Sequence, residues 1–435
     1  MSPMAGQSFD DSLGGSVDLA LIGGGGAGLT LLLAIEREAL ARGVPFPSIA
    51  LIDPIRRSGP DRTWCWWQPA NGEGLTPLLH RSWERFDLFD RDGTPLQIDL
   101  GALRYVMLRS EDLYDAADRA IVRMGVRRIE AQVNEFHEVC ESAGESGEVL
   151  IHAGDDVVHA RWAFDSRPAP PQRYPLTSLL QHFRGWTVRV AEPKFDPDVP
   201  TLMDFRVPQP SHGVAFCYLL PLAPDRALVE YTEFGARRLT SAAYDGALRS
   251  YLEQRWSLDA GSYTVESVED GVIPMTDAGY RVRAGRRTFR IGTAGGATRG
   301  STGYTMAAAQ RQATLIARRL FDGAEPVPPP AYPRRHRWMD AVLLRALDRG
   351  FLSGADLFIR LFSAVPISRL LRFLDGVSTP LDEVTVIRVA PMGAMMRATA
   401  EDAAARGRVR LVRLGLAALR QASRGIRSVA SRYVK

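Results

Sequence analysis

The chain has 435 residues, of which 46% are hydrophobic and 24% are charged, and its formal net charge is +4. This composition excludes a wholly disordered chain, and the length favours two domains or one large domain with an insertion. The small net charge gives no support for binding to nucleic acid.

The N-terminal residues 1–16 are polar and acidic, which predicts a disordered segment without the features of a signal peptide. None of the three cysteines belongs to a CxxC pair and the seven histidines are scattered, so we expect a reducing compartment and no metal site. No run of 18 apolar residues occurs, and therefore no membrane-spanning helix is expected.

The first predicted elements are a buried parallel strand over 17–22 and a helix over 27–42. Between them lies a G-x-G-x-x-G motif made of Gly23, Gly25 and Gly28. The first glycine permits a tight turn, the second lets a pyrophosphate approach the backbone, and the third allows close packing of the helix on the sheet. A flexible glycine linker, the alternative interpretation, does not explain this order of elements.

The next strand ends at Asp53, whose carboxylate suits the hydroxyl groups of a ribose. Gly26 and Ala27 open the helix, where free backbone N–H groups attract phosphate. The sequence therefore predicts a Rossmann-type dinucleotide site, and its position near the N-terminus favours FAD.

A helix over 109–124 and several strands complete this unit near Asp165. The chain returns to it later through a strand, a glycine-rich loop and a long helix, so we assign the FAD-binding unit to 17–167 and 286–322. A plain strand–helix turn needs only one or two glycines, whereas this loop has five, and its candidate cofactor residues are Gly292, Ala294, Gly295 and Gly303.

The remaining regions differ in composition. Residues 168–285 read as an inserted β-rich substrate domain, and 323–400 as a helical C-terminal region that follows a proline-rich linker. Residues 401–435 form a basic tail. The predicted fold class is therefore α/β, with a Rossmann-type FAD-binding domain, an inserted β-rich domain and a helical C-terminal region.

Within the inserted region, 214–222 and 227–234 read as a β-hairpin. Glu230 lies between Leu228 and Thr232 in a strand that is apolar on both faces. Loss of solvation there raises the pKa of a carboxyl group and makes it available as an acid. The alternative is a structural glutamate paired with an arginine.

Asp204 and Asp165 are two further acids among apolar residues. Arg206 and Arg167 follow them closely and could neutralise them, which leaves a structural role open for both carboxylates.

Five motifs occur together and in order, and as a set they resemble the bacterial lycopene β-cyclases, FAD-dependent flavoproteins of carotenoid synthesis. The resemblance extends from Val17 to about Ala398, and its motifs are DRTWCWW (61–67), MDFRVPQ (203–209), FCYLLPLAPDRALVEYT (216–232), GVIPMT (271–276) and GTAGGATRGSTGY (292–304).

The resemblance implies an isomerase, or intramolecular lyase, that converts the ψ end groups of lycopene or a related acyclic carotenoid to β-ionone rings, giving γ-carotene or β-carotene. It implies acid-initiated cyclisation with reduced FAD, with NAD(P)H as the reductant and no net redox change. Other enzymes of carotenoid synthesis are possible partners. An FAD-dependent monooxygenase acting on an apolar substrate and a non-catalytic carotenoid-binding flavoprotein are the alternatives.

Carried over from the family's motifs, Glu230 matches the acid–base glutamate and Asp204 matches the acid of the MD motif. Asp165 matches the acid of a D-G-R-G motif, although the sequence here is Asp-Ser-Arg-Pro. The resemblance therefore implies that Glu230, Asp204 and Asp165 are catalytic residues. Five aromatic residues are candidates for the walls of a dry pocket, namely Trp64, Trp66, Trp67, Phe216 and Tyr218.

Two segments suit contact with a membrane surface. Residues 351–374 are strongly apolar with interspersed arginines, and 406–435 hold nine basic residues and no acid. A buried helix pair and a solvated tail are the alternatives. We therefore expect a cytoplasmic protein that is peripherally associated with a membrane.

Overall fold

The computed structural model describes residues 16–139, 147–170 and 175–408. The predicted N-terminal disorder at 1–15 and most of the basic tail, 409–435, lie outside the described residues. The described strands are β1 (Val17–Ile22), β2 (Ile49–Ile52), β3 (Thr63–Pro69), β4 (Arg81–Trp83), β5 (Arg85–Phe89), β6 (Pro95–Asp99), β7 (Leu103–Arg109), β8 (Arg127–Ile129), β9 (Val133–Val139), β10 (Glu148–Ala153), β11 (Asp156–Asp165), β12 (Ser178–Val190), β13 (Thr201–Asp204), β14 (Val214–Ala223), β15 (Arg226–Gly235), β16 (Tyr263–Thr276) and β17 (Thr288–Arg290).

Helices occur along the whole described chain, and the last four belong to the C-terminal region. They are α1 (Gly26–Arg42), α2 (Ser110–Met124), α3 (Ser241–Trp256), α4 (Met306–Phe321), α5 (Arg334–Asp348), α6 (Gly354–Ala364), α7 (Ile367–Leu374) and α8 (Pro380–Val389). Residues 392–408 are also helical.

The first sheet has the strand order β8-β2-β1-β11-β10-β9, and β17 also pairs with β11. The pairings of β8, β2, β1, β11 and β17 are parallel, whereas β9 and β10 are antiparallel additions. Helices α1, α2 and α4 pack on one face through a buried core that includes Leu21, Leu32 and Ile316. This arrangement confirms the predicted Rossmann-type unit and the return of the chain to it.

The second sheet has the order β16-β12-β15-β14-β13-β5-β6, and its neighbours are antiparallel except for the parallel pair β13–β5. It contains the predicted hairpin as β14 and β15. Its two faces have separate cores because strand side chains alternate. One face packs on α3 through residues such as Tyr231 and Tyr251, and the other packs on helices α5 to α8 through residues such as Phe216 and Phe358.

The segment between β2 and α2 links the two sheets. Strands β3, β7 and β4 form a small antiparallel sheet, while β5 and β6 extend the second sheet. These strands belong to the range 17–167 that the sequence assigned to the nucleotide-binding unit. The sequence could not show that β5 and β6 join the second sheet, because β5 pairs with β13, more than a hundred residues further along the chain.

Candidate active site

A cavity of about 720 Å³ lies between the first sheet, the second sheet and the C-terminal helices. One end reaches the β1–α1 turn at Gly25 and Gly26, and Glu230 lines the wall formed by the second sheet. Phe358 of α6 and Leu374 of α7 belong to the lining as well. The cavity is therefore assembled from all three regions of the chain.

The nucleotide end of the cavity is formed by bare backbone. Gly25, Gly26 and Ala27 line it at the start of α1, where the first backbone N–H groups of a helix have no acceptor of their own. A Cβ atom at Gly25 would have nothing within 4 Å, so the space in front of this residue is open. These features suit the binding of a phosphate group.

The other residues of the glycine motif shape the turn without lining the cavity. Gly23 has a φ of +101°, and a Cβ at Gly28 would lie 2.1 Å from the carbonyl oxygen of Gly23. Asp53 is 9% exposed, and its two oxygens accept the backbone N–H groups of Gly24 (2.6 Å) and Ile55 (2.8 Å). Its carboxylate therefore already holds the turn in place.

The second glycine loop meets the first. A Cβ at Gly292 would lie 2.6 Å from the Cβ of Ala27, so only a glycine permits this approach. Gly292 and Gly303 line the cavity. Ala294 and Gly295 are buried in a 3₁₀ turn behind it, where a Cβ at Gly295 would lie 2.3 Å from the carbonyl oxygen of Arg290.

Aromatic side chains form much of the substrate-sized remainder of the cavity. Of the predicted set, Trp64, Phe216 and Tyr218 line it, whereas Trp66 and Trp67 are buried outside the lining. Sequence reasoning missed further aromatic lining residues, which come from strands and helices far apart in the chain, namely Tyr105, Phe183, Phe234, Tyr304, Phe358 and Phe362.

Glu230 lies in β15 and its side chain is enclosed by protein except toward the cavity. The hydroxyl of Thr232 donates a hydrogen bond of 2.7 Å to Oε1 of Glu230. Burial raises the pKa of Glu230 to about 8, and the charge of nearby Glu269 adds to the rise. No arginine or lysine in the described part of the chain forms an ion pair with it, so this carboxyl group is available to give up a proton.

Glu269 is a second cavity carboxyl that sequence reasoning missed. Burial raises its pKa to about 7, and Thr63 donates a hydrogen bond of 2.9 Å to its Oε2. Glu269 lies two residues before the GVIPMT motif at 271–276. The sequence contained one indication of such a neighbour. Gly185 is an isolated glycine in a strand-rich segment, and such a glycine indicates that another group closely approaches the backbone.

Asp204 and Asp165 lie outside the cavity lining. Asp204 is fully buried, pairs with Arg206 at 2.6 Å and accepts a hydrogen bond from the hydroxyl of Tyr251. Asp165 pairs with Arg167 at 3.0 Å. Both carboxylates are committed to an arginine two residues along the chain, so neither faces the space in which Glu230 lies.

Two further findings concern metals and membranes. Glu135, His137 and His152 bring ligand atoms within 4.8 Å of one another on β9 and β10, away from the cavity. Among the described residues, no helix combines the length and the apolar character that crossing a bilayer requires.

The chain is similar in sequence to proteins of one known family. A family model described as "Lycopene cyclase protein" matches residues 18–400. The chain is 26% identical over 397 residues to the lycopene beta-cyclase of Pantoea ananas. The matched residues cover 86% of this chain and 94% of that protein. It is 24% identical over 329 residues to the lycopene beta cyclase of Capsicum annuum, and it spans about 62% of the length of that plant relative.

Solved structures share the fold at low sequence identity. A geranylgeranyl bacteriochlorophyll reductase-like protein from Thermoplasma acidophilum has a TM-score of 0.56 at 10% identity, covering 86% of this chain and 95% of that one. The p-nitrophenol 4-monooxygenase of Pseudomonas putida has a TM-score of 0.52 at 12% identity, covering 89% and 97%. At such identities the likeness concerns the fold alone.

Proposed function

We propose that this chain, which belongs to the lycopene cyclase family, closes β-ionone rings on the ψ ends of lycopene or a related acyclic carotenoid. The observation that supports this proposal most is the carboxyl group of Glu230, which burial keeps protonated near neutral pH inside an aromatic cavity. The reaction is an acid-initiated isomerisation in which the atoms of the substrate are rearranged and no net electron transfer occurs.

The proposed chemistry begins at Glu230. Its carboxyl group gives a proton to the terminal double bond of the substrate, and the neighbouring double bond attacks the resulting tertiary cation to close a six-membered ring. Loss of a proton from a ring carbon completes the β end group. The hydrogen bond from Thr232 orients the carboxyl group, and the aromatic lining keeps water away from the cation and stabilises it through ring faces.

The other end of the cavity fits FAD. The open space at Gly25 lies beside the first N–H groups of α1, and Gly292 of the second glycine loop approaches Ala27 closely in the lining of the same cavity. Gly25, Gly26, Ala27, Gly292 and Gly303 would hold the cofactor. In its reduced form, maintained by NAD(P)H, the flavin would supply negative charge that stabilises a developing cation.

Asp204 and Asp165 take no part in the proposed proton path. Each is already paired with an arginine and each lies outside the cavity. We assign them the structural role of fixing the ends of β13 and β11, which adjoin the two walls of the cavity.

The proposal is tested by expressing the chain in a cell that accumulates lycopene and separating the pigments by chromatography. We expect γ-carotene or β-carotene with the mass of lycopene, whereas a monooxygenase would add an oxygen atom. The substitution Glu230→Gln keeps the shape of the side chain and removes the acid, so ring formation should fall at least about 100-fold while FAD stays bound.

Glu233→Gln is the matched control because Glu233 is on the same strand but faces away from the cavity. This variant should cyclise normally. Normal cyclisation by Glu230→Gln would refute the assignment of the acid, and a pigment pattern without ring-closed carotenoid from the unmodified chain would refute the substrate.

A further inference from the structure

Four residues form a row across the second sheet on the cavity face. Tyr218 pairs with Glu230 between β14 and β15, and Glu230 pairs with Gly185 of β12. Gly185 in turn pairs with Glu269 of β16. The two glutamates are therefore in register on strands separated only by the strand that carries a glycine.

The glycine at this position lets the two acidic side chains approach each other. A Cβ at Gly185 would lie 3.2 Å from Cγ of Glu269 and 3.6 Å from Cβ of Glu230. Both side chains thus border the volume that any other residue would fill. The charge of Glu269 raises the pKa of Glu230, and two neighbouring carboxyl groups in a buried site do not both ionise readily.

Several charged and titratable groups lie near this pair of carboxyl groups. Asp270 is ion-paired with Arg184 at 2.8 Å and with Arg238 at 3.3 Å. Burial raises the pKa of the Cys65 thiol to about 12 and that of the Tyr218 phenol well above its usual value. Two further charged neighbours are Asp61 and Arg62, of which Arg62 lowers the pKa of Glu269 and Asp61 raises it.

We propose that Glu269 is a second catalytic carboxyl group, which shares one proton with Glu230 and receives the proton that leaves the ring carbon. This inference rests on the proposed function. At rest the proton is on Glu230 and Glu269 is ionised. Glu230 transfers its proton to the substrate, ring closure follows, and the Glu269 carboxylate takes one proton from the ring. Transfer of that proton to Glu230 across Gly185 restores the starting state, so protons and electrons balance.

The substitution Glu269→Gln tests this role because the amide oxygen can still accept the hydrogen bond from Thr63 while the charge is lost. Infrared difference spectra of the purified FAD-bound protein follow the protonated carboxyl of Glu230, which Glu230→Gln identifies by its disappearance. In Glu269→Gln this group should ionise at a pH lower by about one unit or more. The maximal rate of ring closure should fall about 100-fold.

Glu266→Gln is the control, since Glu266 lies on the same strand but is paired at the surface with Arg189 and Arg226. It should leave both readouts unchanged. An unchanged titration of Glu230 in Glu269→Gln would overturn the shared proton, and a shifted titration with an unchanged maximal rate would overturn the acceptor role. The infrared measurement needs no substrate. If the titration of Glu230 shifts but neither the unmodified chain nor its variants close a ring, the proposed function is refuted while the coupling of the two carboxyl groups is supported.

Discussion

At the scale of single residues, the three candidate acids differ in the residue that follows two positions later. Asp204 and Asp165 are followed at this spacing by Arg206 and Arg167, which form ion pairs with them, whereas Glu230 is followed by Thr232, which only donates a hydrogen bond. This difference between arginine and threonine is visible in the sequence. The resemblance to the family nevertheless implied a catalytic role for all three acids.

The protonation of Glu230 predicts the pH dependence of ring closure. Because the protonated carboxyl of Glu230 is the active form, the rate should fall as the pH rises through about 8, the value to which burial raises the pKa of Glu230. An ordinary exposed glutamate would lose its proton near pH 4.3. The measurement is the rate of β-ring formation against pH with FAD occupancy checked at each point, and a rate that already falls near pH 5 would contradict the account.

At the scale of elements, local patterns predicted what depends on local sequence. The strand–glycine–helix unit appears as β1 and α1, and the predicted end of this helix near residue 43 is realised by Gly43 with a φ of +63°. The return of the chain appears as β17, the glycine loop and α4. Pairings between distant segments, such as β5 with β13, left no local signal.

The glycine turn gives a prediction that separates cofactor binding from folding. Gly25 has an extended backbone with a φ of −92° and open space in front of it, so Gly25→Val should fold. Because Gly25 is the N-cap residue of α1, where valine is less favourable than glycine, the substitution should cost about 1 kcal/mol of stability. The valine would occupy the space of the pyrophosphate, and FAD binding should be lost.

The contrasting variant is Gly28→Ala, whose Cβ would lie 2.1 Å from a backbone oxygen and should destabilise the fold itself. Thermal unfolding of the apoprotein and titration with FAD measure the two effects. Tight FAD binding by Gly25→Val would show that the cofactor lies elsewhere.

At the scale of the whole molecule, the apolar segment 351–374 serves the core rather than the surface. Its buried residues include Phe358, Phe362 and Leu371, and two of them line the cavity. The sequence could not decide this because an apolar helix looks alike whether it faces a sheet or a lipid. Large exposed apolar side chains occur after this segment, at Val377, Leu381, Val384, Ile387, Met392 and Met396.

We propose that these six residues, the C-terminal apolar patch, contact the membrane that supplies the hydrocarbon substrate. The patch includes α8, which packs against α6 and α7 at the wall of the cavity, and exposed Arg388 lies beside it and suits anionic lipid. Leu381→Gln combined with Ile387→Gln and Met396→Gln should reduce binding to anionic vesicles about tenfold, and activity on detergent-dispersed lycopene should persist. Unchanged vesicle binding would exclude this patch.

The most direct measurement of the central claim is ring closure in D₂O by the purified protein with reduced FAD. The carboxyl proton of Glu230, including a proton returned to it from Glu269, exchanges with solvent before the next substrate binds, so each closed ring should carry one deuterium from the initiating step, and the product should contain no added oxygen. A ring-closed product without deuterium, or a product that has gained oxygen, would contradict a mechanism in which Glu230 starts the reaction by giving up its proton.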